Sequence, residues 1–114
     1  MLIGSYEHML DAKGRVFVPA KWRESVGDTL VVTLGLLESN SAICLSGMSL
    51  EIDKQGRILI PAQLRELAGL SKDATLIGVG ERVEIWNPET LAAYNAACEE
   101  NYGDALAHLA ELGI

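Results

Sequence analysis

Asp11-Ala-Lys-Gly-Arg-Val-Phe-Val-Pro-Ala-Lys-Trp-Arg-Glu24 and, 42 residues later, Asp53-Lys-Gln-Gly-Arg-Ile-Leu-Ile-Pro-Ala-Gln-Leu-Arg-Glu66 are two copies of one pattern, identical at seven of fourteen positions. The strand positions differ only by the apolar exchanges Val16 to Ile58, Phe17 to Leu59 and Val18 to Ile60, which conserve packing. A duplication of one supersecondary unit accounts for both.

Each copy has the same physical reading. Asp followed three residues later by Gly suits a tight turn: the carboxylate caps backbone N–H groups and Gly accepts a positive φ. Asp11 to Gly14 and Asp53 to Gly56 are therefore expected to be hairpin loops. The apolar triplets that follow Arg15 and Arg57 read as strands buried on both faces. Pro19 and Pro61 end them and open short helices, Pro19 to Ser25 and Pro61 to Ala68, with Gly27 and Gly69 as C-terminal stops. A strand pair closes each cycle: Leu30 to Leu34 with Ala42 to Leu45, and Ala74 to Val79 with Arg82 to Trp86 around Gly80-Glu81. Each repeat is thus strand, short helix, hairpin.

Beyond Trp86, Asn87-Pro88-Glu89 supplies an N-cap, a Pro suited to a first turn and a first-turn acid, so a helix is expected to about Asn101. Gly103 is expected to break it, leaving a second short helix from Asp104 to Leu112 whose Leu106, Leu109 and Leu112 stripe packs on the barrel or on a neighbouring subunit. The fold class is therefore mainly β with short helices (α+β). Its divisions are a first repeat over 1–47, a second over 48–88 and a helical tail over 89–114.

The 114 residues carry a net charge of −7, which by itself argues against a nucleic-acid partner. The distribution argues the other way. Residues 11–24 and 53–66 hold seven of the nine basic residues against four acids, whereas the rest holds two against twelve. From Glu84 to Ile114 there are six acids and no Lys or Arg. Such a chain can set a local cationic strip against phosphates while its acidic remainder faces away.

Other classes find little support. The sequence has no Gly-rich phosphate loop, no His-Glu-x-x-His and no serine in a nucleophile-elbow setting, so it reads as a non-enzyme without cofactor, metal or small-molecule substrate. No apolar run approaches the roughly 20 residues that span a bilayer, and the first residues lack a signal-peptide pattern, so a cytoplasmic protein is expected. Cys44 and Cys98 lack Cys-x-x-Cys spacing and read as small buried hydrophobes. Asp11 and Asp53 read as turn formers, and His8 and His108 as surface or packing residues. The aromatic residues, Phe17 among them, read as core and interface groups rather than a platform for single strands.

With Asp11-Ala-Lys-Gly-Arg15 before Val-Phe-Val-Pro19, and Asp53-Lys-Gln-Gly-Arg57 before Ile-Leu-Ile-Pro61, the chain resembles the MraZ family within the AbrB-like swapped-hairpin superfamily. Ile3-Gly-Ser-Tyr-Glu-His8 and Val83-Glu-Ile-Trp86 extend the likeness over about residues 1–95. The resemblance implies two tandem repeats interlocked in one intrachain β-barrel, assembly into homo-oligomeric rings, and binding of double-stranded DNA at direct repeats in the promoter of the division and cell-wall operon. By carry-over Arg15 and Arg57 are the primary DNA contacts, their guanidinium forks suiting guanine O6 and N7 or phosphate. Lys13, Lys54, Arg23 and Arg65 are secondary candidates for backbone contacts. The bland alternative has Arg15 and Arg57 merely pairing with their turn aspartates, and Arg23 and Arg65 pairing with Glu24 and Glu66.

One departure stands out: such chains usually carry a helical segment between the repeats, whereas here only Ser46-Gly-Met-Ser-Leu50 separates Leu45 from the second copy. If those helices build the ring, a different oligomer follows. Two other functions compete with the regulator. One is an AbrB-like antitoxin whose acidic C-terminal segment covers a basic toxin; the other is a shortened scaffold without useful DNA affinity.

Overall fold

Asp11 and Asp53 build the same turn twice. In the structure, a computed structural model describing residues 1–38, 41–44 and 47–111, Asp11 Oδ1 accepts from the Lys13 and Arg15 amides at 2.9 Å, and Asp53 Oδ1 accepts from Gln55 and Arg57 at the same distance. Gly14 and Gly56 occupy φ of 86° and 84°, a left-handed conformation costly for any residue with a Cβ. Contrary to the expectation from the sequence, these turns are not the loops of paired hairpins: the strands that leave them, β2 (Arg15–Phe17) and β6 (Arg57–Leu59), pair with each other, antiparallel, in a ribbon of their own, because each covers the same core from the opposite repeat.

The pairing crosses the repeats almost everywhere. Strand β1 (Leu2–Met9) runs antiparallel to β7 (Asp73–Gly80) of the second repeat, and β5 (Met48–Glu51) antiparallel to β3 (Thr29–Glu38) of the first. A parallel contact joins β3 to β8 (Val83–Trp86). Among the described residues, only the hairpins β3 with β4 (Ser41–Cys44) and β7 with β8 stay within one repeat. The sheet order β1-β7-β8-β3-β4 leaves β1 and β4 unjoined, so the barrel is open rather than closed by hydrogen bonds.

Three further expectations change here. The triplets are buried on one face only: Val16, Val18, Ile58 and Ile60 are sealed inside, while Phe17 and Leu59 point outward and are 51% and 54% exposed. A two-stranded ribbon lidding a core has nothing on its other side. The Ser46–Leu50 segment is no mere connector, because Met48, Leu50 and Ile52 alternate inward against the core, and β5 serves its repeat as β1 serves the first. Finally, α3 (Pro88–Glu111) is one continuous helix through Gly103. A lone helical Gly costs only about 1 kcal/mol relative to Ala, too little to break a segment otherwise rich in Ala and Glu.

The short helices α1 (Ala20–Val26) and α2 (Ala62–Leu67) start at Pro19 and Pro61 as expected, and both end at the expected glycines. Trp22 on α1 is buried, donates Nε1–H to the Ile3 carbonyl at 3.0 Å and meets Tyr6 edge-on at 5.1 Å, pinning β1. Asn87 caps α3, its Oδ1 accepting from the Glu89 amide at 2.8 Å, while Nδ2 donates to the Gly69 carbonyl beyond α2 at 2.6 Å. Trp86 stacks on Tyr94 at 5.3 Å. Cys98 is exposed, contrary to its expected burial, because Leu91, Tyr94 and Ala97 form the face of α3 turned to the sheet and Cys98 lies one step round from it. The expected placements of Cys44, Leu45, Tyr102, Leu106, His108, Leu109 and Leu112 fall outside the described side chains. Among the described residues no helix is long and apolar enough to cross a membrane.

Trp86 also sets a steric limit on β3. A Cβ on Gly35 would lie 2.0 Å from the Trp86 ring, which is itself fully enclosed. Gly35→Ala should therefore lose about 1–3 kcal/mol of stability, read as a lower urea midpoint with an unchanged m-value.

Candidate nucleic-acid interface

Register places Arg15 opposite Leu59 and Phe17 opposite Arg57, with Val16 and Ile58 between them facing the core. Alternation then puts Arg15, Phe17, Leu59 and Arg57 together on the outer face of the ribbon. Residues 42 apart in the chain thus share one surface.

The two arginines are held differently. Arg15 Nε donates to Asp11 Oδ2 at 2.6 Å, and its amino groups have no partner among the described residues. Arg57 Nε donates to Asp53 Oδ2 at 3.0 Å, Nη2 donates to Gln55 Oε1, and Nη1 lies 3.8 Å from Asp11 Oδ2. Its Cζ also stands 5.9 Å from the centre of the Phe17 ring, at the outer range of a cation–π contact. The side chain of Arg57 is 18% exposed against 30% for Arg15. Pairing with the turn aspartates, the bland expectation, is therefore real at both sites, yet it uses mainly the Nε side of Arg15 and leaves its fork outward. An exposed pair of this kind contributes little to stability, so it orients the guanidinium more than it stabilises the fold.

The secondary candidates divide into two kinds. Lys13 and Lys54 sit exposed on the turns beside the ribbon. Arg23 and Arg65 instead brace the opposite repeat: a Cβ on Gly56 would meet Arg23 Nη1 at 2.3 Å, and one on Gly14 would meet Arg65 Nε at 2.4 Å. Arg65 Nε also donates to the Ile60 carbonyl at 3.0 Å. Among the described residues neither arginine forms an ion pair with the Glu that follows it. The Gly14 and Gly56 carbonyls complete the exchange, accepting from Ile60 at 3.0 Å and from Val18 at 2.8 Å. His8 is half-buried and lines a groove with Met9, Phe17 and Asp73. Phe17, Leu59 and Gln55 were not singled out as surface-site residues by the sequence; strict period-2 alternation around Val16 and Val18 was the signal available for Phe17.

The turn carboxylates respond to these donors. The Asp11 carboxyl is held at about 2, below its ordinary 3.8, chiefly by the Arg15 amide. Desolvation opposes this, while the Arg15 side chain and the Lys13 amide add to it. Asp53 is lowered in the same direction, first by the Arg57 amide. Because the folded state favours the charged form, the contribution of Asp11 is complete above the ordinary value and fades as pH falls from about 3.8 to about 2. A carboxyl titration followed by NMR should place the Asp11 midpoint near 2, and the stability gap between wild type and Asp11→Asn should narrow across that window.

Comparison with known proteins agrees with this architecture. The family model for the MraZ protein, described as antitoxin-like, matches residues 1–39 and 44–111. The chain is 41% identical to the transcriptional regulator MraZ of Thermoanaerobacter pseudethanolicus and 36% identical to that of Syntrophomonas wolfei, each alignment covering all of both chains. These alignments span 143 positions against 114 residues here, so 29 positions have no counterpart in this chain. The solution structure of PHS018 from Pyrococcus horikoshii, at 18% identity, superposes with a TM-score of 0.50 over 77% of this chain and 97% of its own, a likeness of fold. Duplicated turns, cross-repeat pairing and full-length similarity together place this chain in the MraZ family.

Proposed function

We propose that the chain is a transcriptional regulator that binds double-stranded DNA by laying the β2/β6 ribbon in the major groove. The observation that carries this reading is the register that brings Arg15 and Arg57, one from each repeat, onto a single exposed face. A two-stranded ribbon is of a size the major groove admits, and an arginine fork fits guanine O6 and N7. Arg15 and Arg57 read bases; Lys13 and Lys54 on the flanking turns meet phosphates; Arg23 and Arg65 hold the turns in shape and reach the same phosphate edges. The protein acts by binding and not by catalysis, as a homo-oligomer on direct repeats in the promoter of the division and cell-wall operon, in the cytoplasm on the nucleoid. The names of the relatives and the concentration of cationic residues in the two motif windows support this reading. The antitoxin-like description of the family and the acidic α3 favour a second reading in which α3 covers a basic partner protein.

Selection from a random duplex library, followed by fluorescence-anisotropy titration at several salt concentrations, tests the proposal. Wild type should enrich a repeated guanine-containing site. Arg15→Ala should reduce discrimination against a scrambled duplex by about 1–3 kcal/mol, and Lys13→Ala should lower the log–log salt slope by about 0.9 with discrimination unchanged. A folded wild type that enriches nothing, and co-purifies with a small basic protein instead, would overturn the proposal in favour of the second reading.

A further inference from the structure

The outer face of the ribbon is not simply cationic. Between its two arginines it exposes Phe17 and Leu59, each more than half open to solvent although Val16 and Ile58 beside them are sealed. Neither contributes to the core, and β propensity alone would be met by a polar β-branched residue such as Thr. Two large apolar side chains exposed beside two arginines, on a ribbon face that gathers residues from both motif windows, imply a ligand with apolar features set among anionic ones.

Duplex DNA has that composition in the major groove, where the thymine C5-methyl group is the apolar mark on the base edges. A protein partner fits less well, because a stable interface needs roughly 800 Å² per side, and the exposed apolar side chains here, Phe17 and Leu59 with Met9 beside Phe17, are set among Arg15, Arg57, Lys13 and Lys54. Resting on the regulator reading above, we propose that Phe17 and Leu59 are specificity-determining residues that pack against thymine methyl groups beside the guanines taken by Arg57 and Arg15. Spacing limits the pattern. Arg57 Cζ lies 5.9 Å from the Phe17 ring centre, so the bases the two side chains touch lie within one or two steps of about 3.4 Å. The site recognised therefore carries thymine and guanine as near neighbours, and the two repeats present the same arginine-and-hydrophobe pair in opposite directions along the ribbon.

The test replaces every thymine of the selected duplex with deoxyuridine, which removes the methyl groups and preserves base pairing. Wild type should bind the uracil duplex about fourfold more weakly for each methyl it buries. Phe17→Ala and Leu59→Ala should each bind the thymine duplex more weakly than wild type and lose part of that thymine preference, with an unchanged salt slope; Phe17→Leu, which remains apolar, should retain most of the preference. Sedimentation velocity and circular dichroism on the same samples report assembly and fold. If wild type binds the duplex but is indifferent to uracil, or if the alanine variants keep the full preference, the inference is overturned while the regulator reading stands. Wild type that binds no duplex overturns both. Alanine variants that change oligomeric state and keep the thymine preference would show that the face joins copies of this chain, which also overturns it.

Discussion

Val16 and Ile58 face each other across the β2/β6 ribbon with both side chains sealed from water, and the rest of the molecule depends on that contact. Burying two such residues contributes on the order of 3–6 kcal/mol in apolar transfer, a large share of the roughly 5–15 kcal/mol net stability of a domain. The position matters as much as the magnitude. The contact joins the two repeats, so it exists only when both are folded, and it fixes which side chains must point away from the core. A slip of β2 by one residue against β6 would turn Arg15 inward and Val16 out, and the same slip in β6 would do this to Arg57 and Ile58. The core and the candidate interface are therefore two sides of one register, and selection on either constrains the other.

Duplication gave the ribbon near two-fold symmetry, and the side chains have since departed from it. Asp11 attracts both Arg15 and Arg57, whereas Asp53 pairs with Arg57 alone. Position 13 is Lys where its counterpart 55 is Gln, and Gln55 accepts a hydrogen bond from Arg57. The first turn consequently presents a looser, more open arginine, while the second turn presents an arginine tied at three of its nitrogens; each turn also carries one exposed lysine, Lys13 in the first and Lys54, one position earlier, in the second. On the proposed function, an unequal pair of arginines would suit a site whose two halves differ, which a ribbon built from two identical chains would not distinguish in the same way.

Much of this was legible in the sequence because it rests on short-range chemistry. The Asp-x-x-Gly turns, the helices begun by Pro19 and Pro61, their glycine stops and the Asn87 cap are all set by residues within a few positions of one another, and they stand where expected. The strand exchange was legible only through family resemblance, because which β-strand pairs with which is decided by long-range burial that no local pattern records. The same cause hid β5: Met48, Leu50 and Ile52 form too short an alternation to stand out until β3 supplies a neighbour. Gly103 misled in the opposite sense, since a local breaker was outweighed by the helical preference of its flanks. At the candidate site, the arginines could be named from the motif, but the outward turn of Phe17 and Leu59 required knowing that the ribbon has one covered face.

The short junction between the repeats can be understood from the same topology. The ribbon is made from residues 15–17 and 57–59, and the lead strands β1 and β5 are clasped by β7 and β3; none of these pairings uses the stretch where the family match breaks, between residues 39 and 44. Strand β3 ends at Glu38 and β5 begins at Met48, so residues 39 to 47, β4 among them, carry the chain from one to the other. Because loop-closure entropy grows slowly with loop length, a long insertion at this point and a short connection differ by only about 1–2 kcal/mol in closing the same fold. Length at the junction is therefore free to vary with whatever the added segment contacts outside the barrel, while the β2/β6 ribbon is bound by its register and is not.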